Sequence, residues 1–343
     1  MRISVSKDKF GIIKFSGIRG FILFISLVYF PVLVKAQSTY NGINITGLER
    51  VWDAPVYKSQ SLEKEIMQAV NNGYDAVRLP LAIEYFLASS PNFLKELRET
   101  IRFMQKKKIP LILVYFDHGL NEENADIKSD IIADNWRKII QSIGKNNSYL
   151  YLEIVNEPNL NPSTWERIWP KMVKELRSWD PDIPIIIGAT NFNSLYELSR
   201  TSPPDLENVI YTFHFYEPYI FTHQGTPWTG DQNSTMGLPY PYSYENMPSL
   251  NPKAYGTVGE VNYRDYNLTG NKVAVLDKIS QIAEWAEKNG LELWCTEYGV
   301  SINADPNSRK NYLKDVRSVL NQFHIQSFVW EWEGNFGVRE LKD

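Results

Sequence analysis

YLEIVNEPN, at residues 151–159, begins as a short apolar run with β-branched residues and ends in an amide, a carboxylate and a proline. An apolar run of this length is typical of a strand that is buried on both faces in a parallel sheet. Pro158 disfavours helical backbone at Glu157, so Asn156 and Glu157 should lie at the carboxyl end of the strand, where parallel α/β folds carry their sites. Taken alone, the segment is equally compatible with a polar cap on a strand.

Strand-like and helix-like segments alternate along the rest of the chain. Strands are predicted at 42–45, 74–81, 110–116, 150–155, 183–188, 208–216, 291–296 and 325–332, and helices at 59–72, 92–107, 130–143, 163–178, 194–199, 271–289 and 307–323. This alternation predicts a single-domain α/β fold, a (β/α)8 TIM barrel. The absence of Gly-x-Gly-x-x-Gly after the first strand counts against a dinucleotide-binding sheet. So few residues follow the eighth strand that we expect a short or missing final helix.

The first 36 residues have the layout of a secretory signal peptide. A basic start is followed by an apolar run from Phe21 to Val34 and by small residues suited to cleavage near Ala36. Because the run is short and broken by Pro31, it is a poor membrane span. We therefore predict a leader at 1–36 and a barrel catalytic domain at 37–343, secreted to the extracellular space or the periplasm. An uncleaved anchor is the alternative.

The charge and cysteine content exclude several classes of protein. Residues 1–36 carry six of the 36 basic residues and one of the 40 acidic residues, so the mature chain has a net charge of about −9. An acidic surface repels phosphate backbones, so no nucleic-acid partner is expected. Cys295 is the only cysteine, which excludes an internal disulfide and a thiolate metal cluster. We expect a monomer with no stable membrane association. Sequons at Asn44, Asn146, Asn233 and Asn267 are acceptors for glycans in a eukaryotic secretory pathway.

In a barrel, polar residues at the strand ends converge on one face. Here they are Arg78, Asp117, His118, Asn156, Glu157, His214, Tyr216 and Glu297, together with Trp330 and Trp332. Each has a structural explanation of its own, such as a buried partner for Arg78 or a core position for His214. Their coincidence at matching strand ends favours a shared site.

Glu157 and Glu297 are the carboxylates best placed to act as a pair. Two facing carboxylates among aromatic side chains suit the hydrolysis of a glycosidic bond, in which one protonates the leaving oxygen and the other stabilises or attacks the oxocarbenium carbon. Metal chemistry is a weaker interpretation, because the chain has four histidines and none are paired at ligand spacing. We expect neither a metal nor a cofactor.

The ordered series of strand-end motifs resembles glycoside hydrolase family 5, the cellulase family of retaining barrel enzymes. The motifs are Arg78-Leu79-Pro80, Asn156-Glu157-Pro158, His214-Phe215-Tyr216, Thr296-Glu297-Tyr298-Gly299 and Trp330-Glu331-Trp332. Asn-Glu-Pro alone recurs in related barrel families. The ordered set is much more specific, and it spans nearly the whole chain after the leader.

The resemblance implies a role for each matching residue. It makes Glu157 the acid/base and Glu297 the nucleophile. It also implies that Asn156 binds a sugar 2-hydroxyl, that His214 supports the site, and that Trp330 forms a sugar platform. Arg78 and Tyr216 would hold the nucleophile.

The segment after strand three departs from the family pattern. The family commonly has a histidine or a histidine pair there, whereas this chain has Phe116-Asp117-His118. We keep His118 as a substrate-binding candidate, with Asp117 in the first position as the alternative.

Residues 217–270 are rich in Tyr, Pro, Asn and Gly and show no clear period. So long a segment is usually functional or disordered, and its aromatic content argues against disorder. Aromatic faces stack on the C–H faces of sugars, so this segment suits the wall of a polysaccharide cleft. Tyr219 and Trp228 are the predicted substrate contacts. Packing of the loop on itself is the simpler explanation for any single aromatic residue in it, including Tyr240, Tyr242, Tyr244 and Tyr255.

These observations predict a secreted, metal-independent, retaining β-glycoside hydrolase that acts on a polysaccharide, most simply an endo-β-1,4-glucanase. Two alternatives stay open. One is a β-mannanase or other β-glucan hydrolase with the same mechanism, and the other is a non-catalytic barrel that only binds polysaccharide. Endo or exo action depends on whether residues 217–270 close one end of the cleft.

Overall fold

Eight parallel strands close into a barrel in chain order, with the last strand paired to the first. This computed structural model describes residues 39–145 and 147–341, so the predicted leader and the sequon at Asn146 lie outside the described residues. The strands are β1 Asn41–Asn44, β2 Ala76–Leu81, β3 Leu111–Tyr115, β4 Leu150–Glu153, β5 Ile185–Gly188, β6 Val209–Phe215, β7 Glu292–Tyr298 and β8 Gln326–Val329. The predicted (β/α)8 barrel is confirmed.

Helices connect the strands around the barrel. The α-helices are Ser59–Asn71, Ile83–Ser89, Phe93–Lys107, Ala125–Ile143, Pro162–Trp179, Leu195–Leu198, Tyr219–Thr222, Val258–Arg264, Tyr266–Thr269, Lys272–Asn289 and Pro306–Gln322. Short 3-10 helices occur at Val51–Asp53, Pro227–Thr229, Asp231–Asn233, Tyr244–Asn246 and Pro252–Ala254. As expected, no helix follows β8 in the described residues, which continue to Leu341. None of the described helices is both long and apolar enough to cross a membrane.

The two faces of each strand serve two cores, because successive side chains in a strand point to opposite sides. Outward-facing side chains pack against the helices in one large apolar cluster. A second cluster consists of Ala76, Ile112, Val114, Ile186, Ile210, Trp294 and Phe328. These residues lie on the inward positions of the strands and fill the barrel. Towards the carboxyl ends of the strands the fully buried side chains become polar, namely Asn44, Arg78, Glu153, Thr212 and Thr296.

A register shift between β6 and β7 arranges one part of the site. Phe213 is paired with Cys295, but the next residue of β6, His214, is paired with Glu297. Thr296 is therefore an extra residue in β7, a bulge of the kind that re-aims side chains near active sites. The bulge places Glu297 directly opposite His214.

The segment 217–270 is folded, although no period predicted its short helices. Phe221 and Tyr240 are buried and pack with Tyr312 of the helix Pro306–Gln322, and Tyr266 is buried against Phe221. Tyr242 is half-buried against Tyr266. Self-packing therefore accounts for some of these aromatic residues. The aromatic side chains of this segment that remain exposed are Tyr219, Trp228, Tyr244 and Tyr255.

Burial corrects the interpretation of two sequons. Asn44 is fully buried in β1, and Asn233 is 1% exposed, so neither can carry a glycan on the folded chain. Asn267 is exposed and stays a possible acceptor.

Candidate active site

Arg78, on β2, is fully buried and binds four neighbours at the carboxyl end of the barrel. Its Nε and Nη2 donate to the Glu153 carboxylate at 2.8 and 2.7 Å. Its Nη1 donates to Glu297 Oε1 at 2.6 Å and to Asn44 Oδ1 at 2.9 Å. Burial alone would lower the pKa of Arg78, but Glu153 and Glu297 raise it above its usual value, so the guanidinium is permanently charged.

Asn156 is also held by this guanidinium. Its Oδ1 accepts from Arg78 Nη2 at 2.7 Å, and its backbone N–H donates to the carbonyl of Tyr115 at 2.8 Å. Because the oxygen end of the carboxamide is occupied, the amino end is the one that can serve a sugar hydroxyl.

Glu297 lies near the end of β7, with its side chain 5% exposed, and has three donors around it. Arg78 reaches Oε1, the hydroxyl of Tyr216 donates to Oε2 at 2.7 Å, and His214 Nδ1 is 3.3 Å from Oε2. Burial raises the pKa of Glu297 to about 7, while the imidazole and the guanidinium act in the opposite direction. The donors hold this carboxylate in one orientation.

Glu157 follows β4 and is more open to solvent. Its φ of 46° lies in the left-handed region, which is uncommon for a residue with a Cβ and occurs often at functional sites. Its side chain is 26% exposed, and its Oε1 is 2.6 Å from His214 Nδ1. Burial raises the pKa of Glu157 to about 7, only partly opposed by Arg78. This partly open position suits a proton donor.

His214 joins the two glutamates through one nitrogen atom. Its Nδ1 faces both carboxyl groups, while its Nε2 is 3.1 Å from Asn193 Nδ2 and 3.2 Å from Thr296 Oγ1. Burial lowers the pKa of His214 to about 4, so the imidazole is neutral near pH 7. Because Nδ1 faces the Glu297 carboxylate, which accepts, we place the single proton of the neutral ring on Nδ1.

The two glutamates titrate as a pair. One ligating atom from each of Glu157, His214 and Glu297 lies within 4.8 Å of the other two. Two carboxylates this close cannot both ionise easily, so one proton is shared between them. Glu297 has three donors and Glu157 has one, and donors stabilise the charged form, so the proton resides on Glu157.

The same three residues would offer ligand atoms to a metal ion, but the surroundings do not suit one. Both oxygens of Glu297 already accept from Arg78 or Tyr216, and the Nδ1 of His214 carries a proton. A buried guanidinium beside the cluster also repels a second cation.

His118 and Asp117 follow β3, the strand next to β4, and contact groups outside this cluster. His118 is exposed, with Nε2 2.9 Å from the carbonyl of Glu49 and its ring 5.7 Å from that of Trp52. Asp117 accepts from the backbone N–H of Gly119 at 2.8 Å and pairs with Lys128 at 3.0 Å. Asp117 is therefore engaged in its own loop, and His118 is the residue with a ring open to solvent.

The predicted aromatic contacts lie around the same end of the barrel. Tyr219 is 42% exposed and stacks on His223 at 3.8 Å, and Trp228 is 56% exposed with its ring 6.4 Å from Phe336. Trp330 is half-buried directly after β8, whereas Trp332 is buried in the core.

The loop that carries Trp330 is anchored by a charge pair that the sequence did not reveal. Glu331, next to Trp330, is 1% exposed and accepts from Arg50 Nη2 at 2.6 Å and from the hydroxyl of Thr46. Its other oxygen accepts from the N–H of Phe336. Arg50 belongs to the segment after β1, so this pair ties the two neighbouring loops together.

The geometry of the carboxyl pair defines the class of protein. In retaining glycosidases the two carboxyl groups are close together, whereas inverting enzymes keep them further apart to admit a water molecule. The close approach through His214, at the carboxyl end of a (β/α)8 barrel, is the arrangement of a glycoside hydrolase.

The chain belongs to glycosyl hydrolase family 5, the cellulase family, whose model matches residues 36–336. Endoglucanase 3 of Fibrobacter succinogenes is 25% identical over 90% of this chain and 52% of its own length. The chain thus spans about half the length of that relative. Endoglucanase C of Acetivibrio thermocellus is 28% identical over 85% of this chain and 90% of its own.

A solved structure of a hyperthermophilic endo-β-1,4-glucanase in complex with substrate is similar in fold. It superimposes with a TM-score of 0.71 at 23% identity, over 88% of this chain and 91% of that one. This likeness independently supports the barrel architecture.

Proposed function

We propose that this chain is a secreted endo-β-1,4-glucanase that cleaves its polysaccharide with retention of anomeric configuration. The observation that carries the proposal is the unequal carboxyl pair, in which Glu297 has three donors and is buried, whereas Glu157 has one donor and is partly open to solvent. Membership of the cellulase family and similarity to relatives named endoglucanases support the substrate class.

In the first step Glu297 attacks the anomeric carbon while Glu157 protonates the leaving glycosidic oxygen. Arg78 and Tyr216 each hold one oxygen of Glu297, which limits its rotation before attack. The amino group of Asn156 is the donor available to the 2-hydroxyl of the sugar in the reacting position.

In the second step water replaces the leaving group. The negative charge of Glu297 disappears when the glycosyl-enzyme forms, which lowers the pKa of Glu157. Glu157, ionised by the first step, can then take a proton from water as that water attacks the anomeric carbon, the bond from this carbon to Glu297 breaks, and the Glu297 carboxylate is restored.

Exposed rings around the carboxyl pair are the proposed sugar contacts. Trp330, Tyr219 and Trp228 keep part of their rings open to solvent, and His118 has an exposed imidazole beside Trp52. Aromatic faces contact the C–H faces of sugars favourably, so these residues suit the binding of several sugar units.

The test is incubation of the purified protein with carboxymethylcellulose, mannan, xylan and laminarin. We expect reducing sugar from carboxymethylcellulose, a rapid fall in its viscosity because cleavage is internal, and a first product that NMR identifies as the β-anomer. Preference for mannan would select the β-mannanase alternative, and an initial α-anomer would refute retention. Binding without any release of sugar would indicate a non-catalytic barrel.

Secretion is tested separately from activity. The apolar run at residues 21–34 and the small residues near Ala36 support export followed by cleavage. Amino-terminal sequencing of the exported protein should find a start close to residue 37, whereas an intact leader would indicate an anchor. Sedimentation of the same sample tests the expected monomer.

A further inference from the structure

A turn directly after β5 has an unusual backbone. Asn191, Phe192 and Asn193 follow one another with φ of 56°, 61° and 53°, all in the left-handed region. Residues with a Cβ enter this region singly and rarely, and asparagine does so most readily. Three in succession require support from the surrounding structure.

The turn directs Asn193 into the protein. Asn193 is fully buried, whereas Asn191 and Phe192 are exposed. A Cβ on Gly188, the last residue of β5, would lie 2.0 Å from Asn193 Oδ1. The missing side chain at Gly188 therefore provides the space in which the carboxamide lies.

Only one end of this carboxamide is used. Its Nδ2 is 3.1 Å from His214 Nε2, while its Oδ1 has no hydrogen-bond partner in the described part of the chain. An unpaired buried carbonyl is costly. The contact to His214 is the one polar interaction that this arrangement secures.

The groups around the two ring nitrogens of His214 determine which nitrogen carries the proton. Nδ1 faces Oε2 of the ionised Glu297, which can only accept, so we place the single proton of the neutral ring on Nδ1. Nε2 must then accept. The amino group of Asn193, 3.1 Å away, can only donate to Nε2, whereas the hydroxyl of Thr296, 3.2 Å away, can either donate or accept.

We propose that Asn193 is a positioning residue that fixes His214 in the Nδ1–H tautomer and thereby directs the proton of Glu157 towards the leaving group. His214 donates to Oε1 of Glu157, which leaves the acidic proton on Oε2. In the opposite tautomer Nδ1 would accept that proton, and the acid would bond to the imidazole. The catalytic role of the Nδ1–H tautomer rests on the proposed function, whereas the assignment of the tautomer itself does not.

The direct test is nitrogen NMR of protein labelled with 15N-histidine, which is practical because the chain has four histidines. In the wild type we expect His214 Nδ1 to be protonated and Nε2 to be unprotonated. Asn193→Asp replaces the donor by an acceptor of the same shape, so Nε2 should gain a proton. Asn191→Asp, on the exposed part of the turn, adds the same charge and is the matched control.

Kinetics show whether the tautomer matters for acid catalysis. On aryl β-cellobiosides with poor leaving groups, Asn193→Asp should lower kcat/KM by about 10- to 100-fold, which is part of the roughly 10²- to 10⁴-fold that general acid catalysis contributes. The loss should shrink as the leaving group becomes more acidic, because such groups need no proton. Asn191→Asp should match the wild type, and thermal melting should show that both variants are folded.

Gly188→Ala provides a second variant with Asn193 unchanged. Its Cβ must displace the carboxamide, so the same leaving-group dependence is expected. The proposal would be overturned if His214 were protonated on Nε2 in the wild type, or if Nε2 of His214 stayed unprotonated in Asn193→Asp. Loss of activity that is equal for all leaving groups would also overturn it. If the cellobiosides are not hydrolysed at all while the tautomer is as expected, the substrate assignment fails and the positioning role stands.

Discussion

Glu157 and Glu297 have the same side chain and contact the same imidazole nitrogen, yet their surroundings differ. Glu297 is within β7, 5% exposed, with Arg78, Tyr216 and His214 around its oxygens. Glu157 stands beyond the end of β4, 26% exposed, with His214 alone. The number of donors, and not the residue type, separates a carboxylate held for attack from a carboxylic acid that keeps its proton.

The backbone contributes to the same difference. Glu297 is in β7, directly after the bulge, where it is paired with His214 of β6. Glu157 is in the left-handed region directly before a proline. A residue that must exchange a proton with both substrate and water needs the more accessible of the two positions.

Removal of the carboxylate at Glu297 should have the largest effect. We expect Glu297→Gln to lower kcat on carboxymethylcellulose by about 10⁴-fold or more, because no covalent intermediate can form. Burial raises the pKa of Glu297 to about 7, so its ionised form costs stability at higher pH, and the neutral glutamine removes that cost. At pH 8 the melting temperature should equal or exceed that of the wild type. Retained turnover would refute the nucleophile assignment.

Removal of the acid should have an effect that depends on the substrate. Glu157→Gln should lower kcat on polysaccharide by about 10²- to 10⁴-fold. With a 2,4-dinitrophenyl β-cellobioside, which needs no protonation, a burst of phenolate should still appear as the glycosyl-enzyme accumulates. Glu166→Gln, an exposed glutamate on the helix Pro162–Trp179, is the control. Equal losses on both substrates would mean that Glu157 and Glu297 do not divide the roles in this way.

Much of the barrel could be predicted because its strands are apolar runs that end in polar residues. The predicted strand at 150–155 corresponds to Leu150–Glu153, and that at 325–332 to the shorter Gln326–Val329. The helices within 217–270 could not be predicted. They are a few residues long, and buried aromatic contacts such as those of Phe221 with Tyr240 and Tyr312 hold the segment, so no period marks them.

The sequence predicted the site residues at the strand ends but not the buried residues that hold them in place. Glu153 could have been found, because a charged residue inside an apolar strand needs a buried partner, and Arg78 was available as that partner. Asn44 was read only as a sequon, although it binds Arg78. Asn193 depends on a left-handed turn that no residue pattern indicates.

Loss of one donor to Glu297 should reduce the difference between the two carboxyl groups. Tyr216→Phe removes the hydroxyl that lowers the pKa of Glu297, so this pKa should rise. A hydrogen bond to a charged group contributes about 1.5–3 kcal/mol, so the acidic limb of the pH–rate profile should move up by about one pH unit and kcat should fall by about tenfold or more. The alkaline limb, set by loss of the proton from Glu157, should move much less. Tyr149→Phe, before β4, is the control, and an unchanged acidic limb would contradict the assignment.

Glu153→Gln should have the smallest effect on turnover and should move the acidic limb in the opposite direction. Glu153 and Arg78 are both fully buried and joined by two hydrogen bonds, so the neutral side chain should cost about 3 kcal/mol of unfolding free energy in urea titrations. Arg78 would then direct its whole charge to Glu297, so the pKa of Glu297 should fall and the acidic limb should move to lower pH. We expect kcat to fall by less than about tenfold, since Arg78 still reaches Glu297 through Nη1.

Glu175→Gln, exposed on the helix Pro162–Trp179, controls for the loss of one charge. A shift of the acidic limb in the same direction for Glu153→Gln and Tyr216→Phe would mean that Arg78 does not divide its charge between Glu153 and Glu297. The ionisation of Glu297 would then depend on Tyr216 and His214 alone.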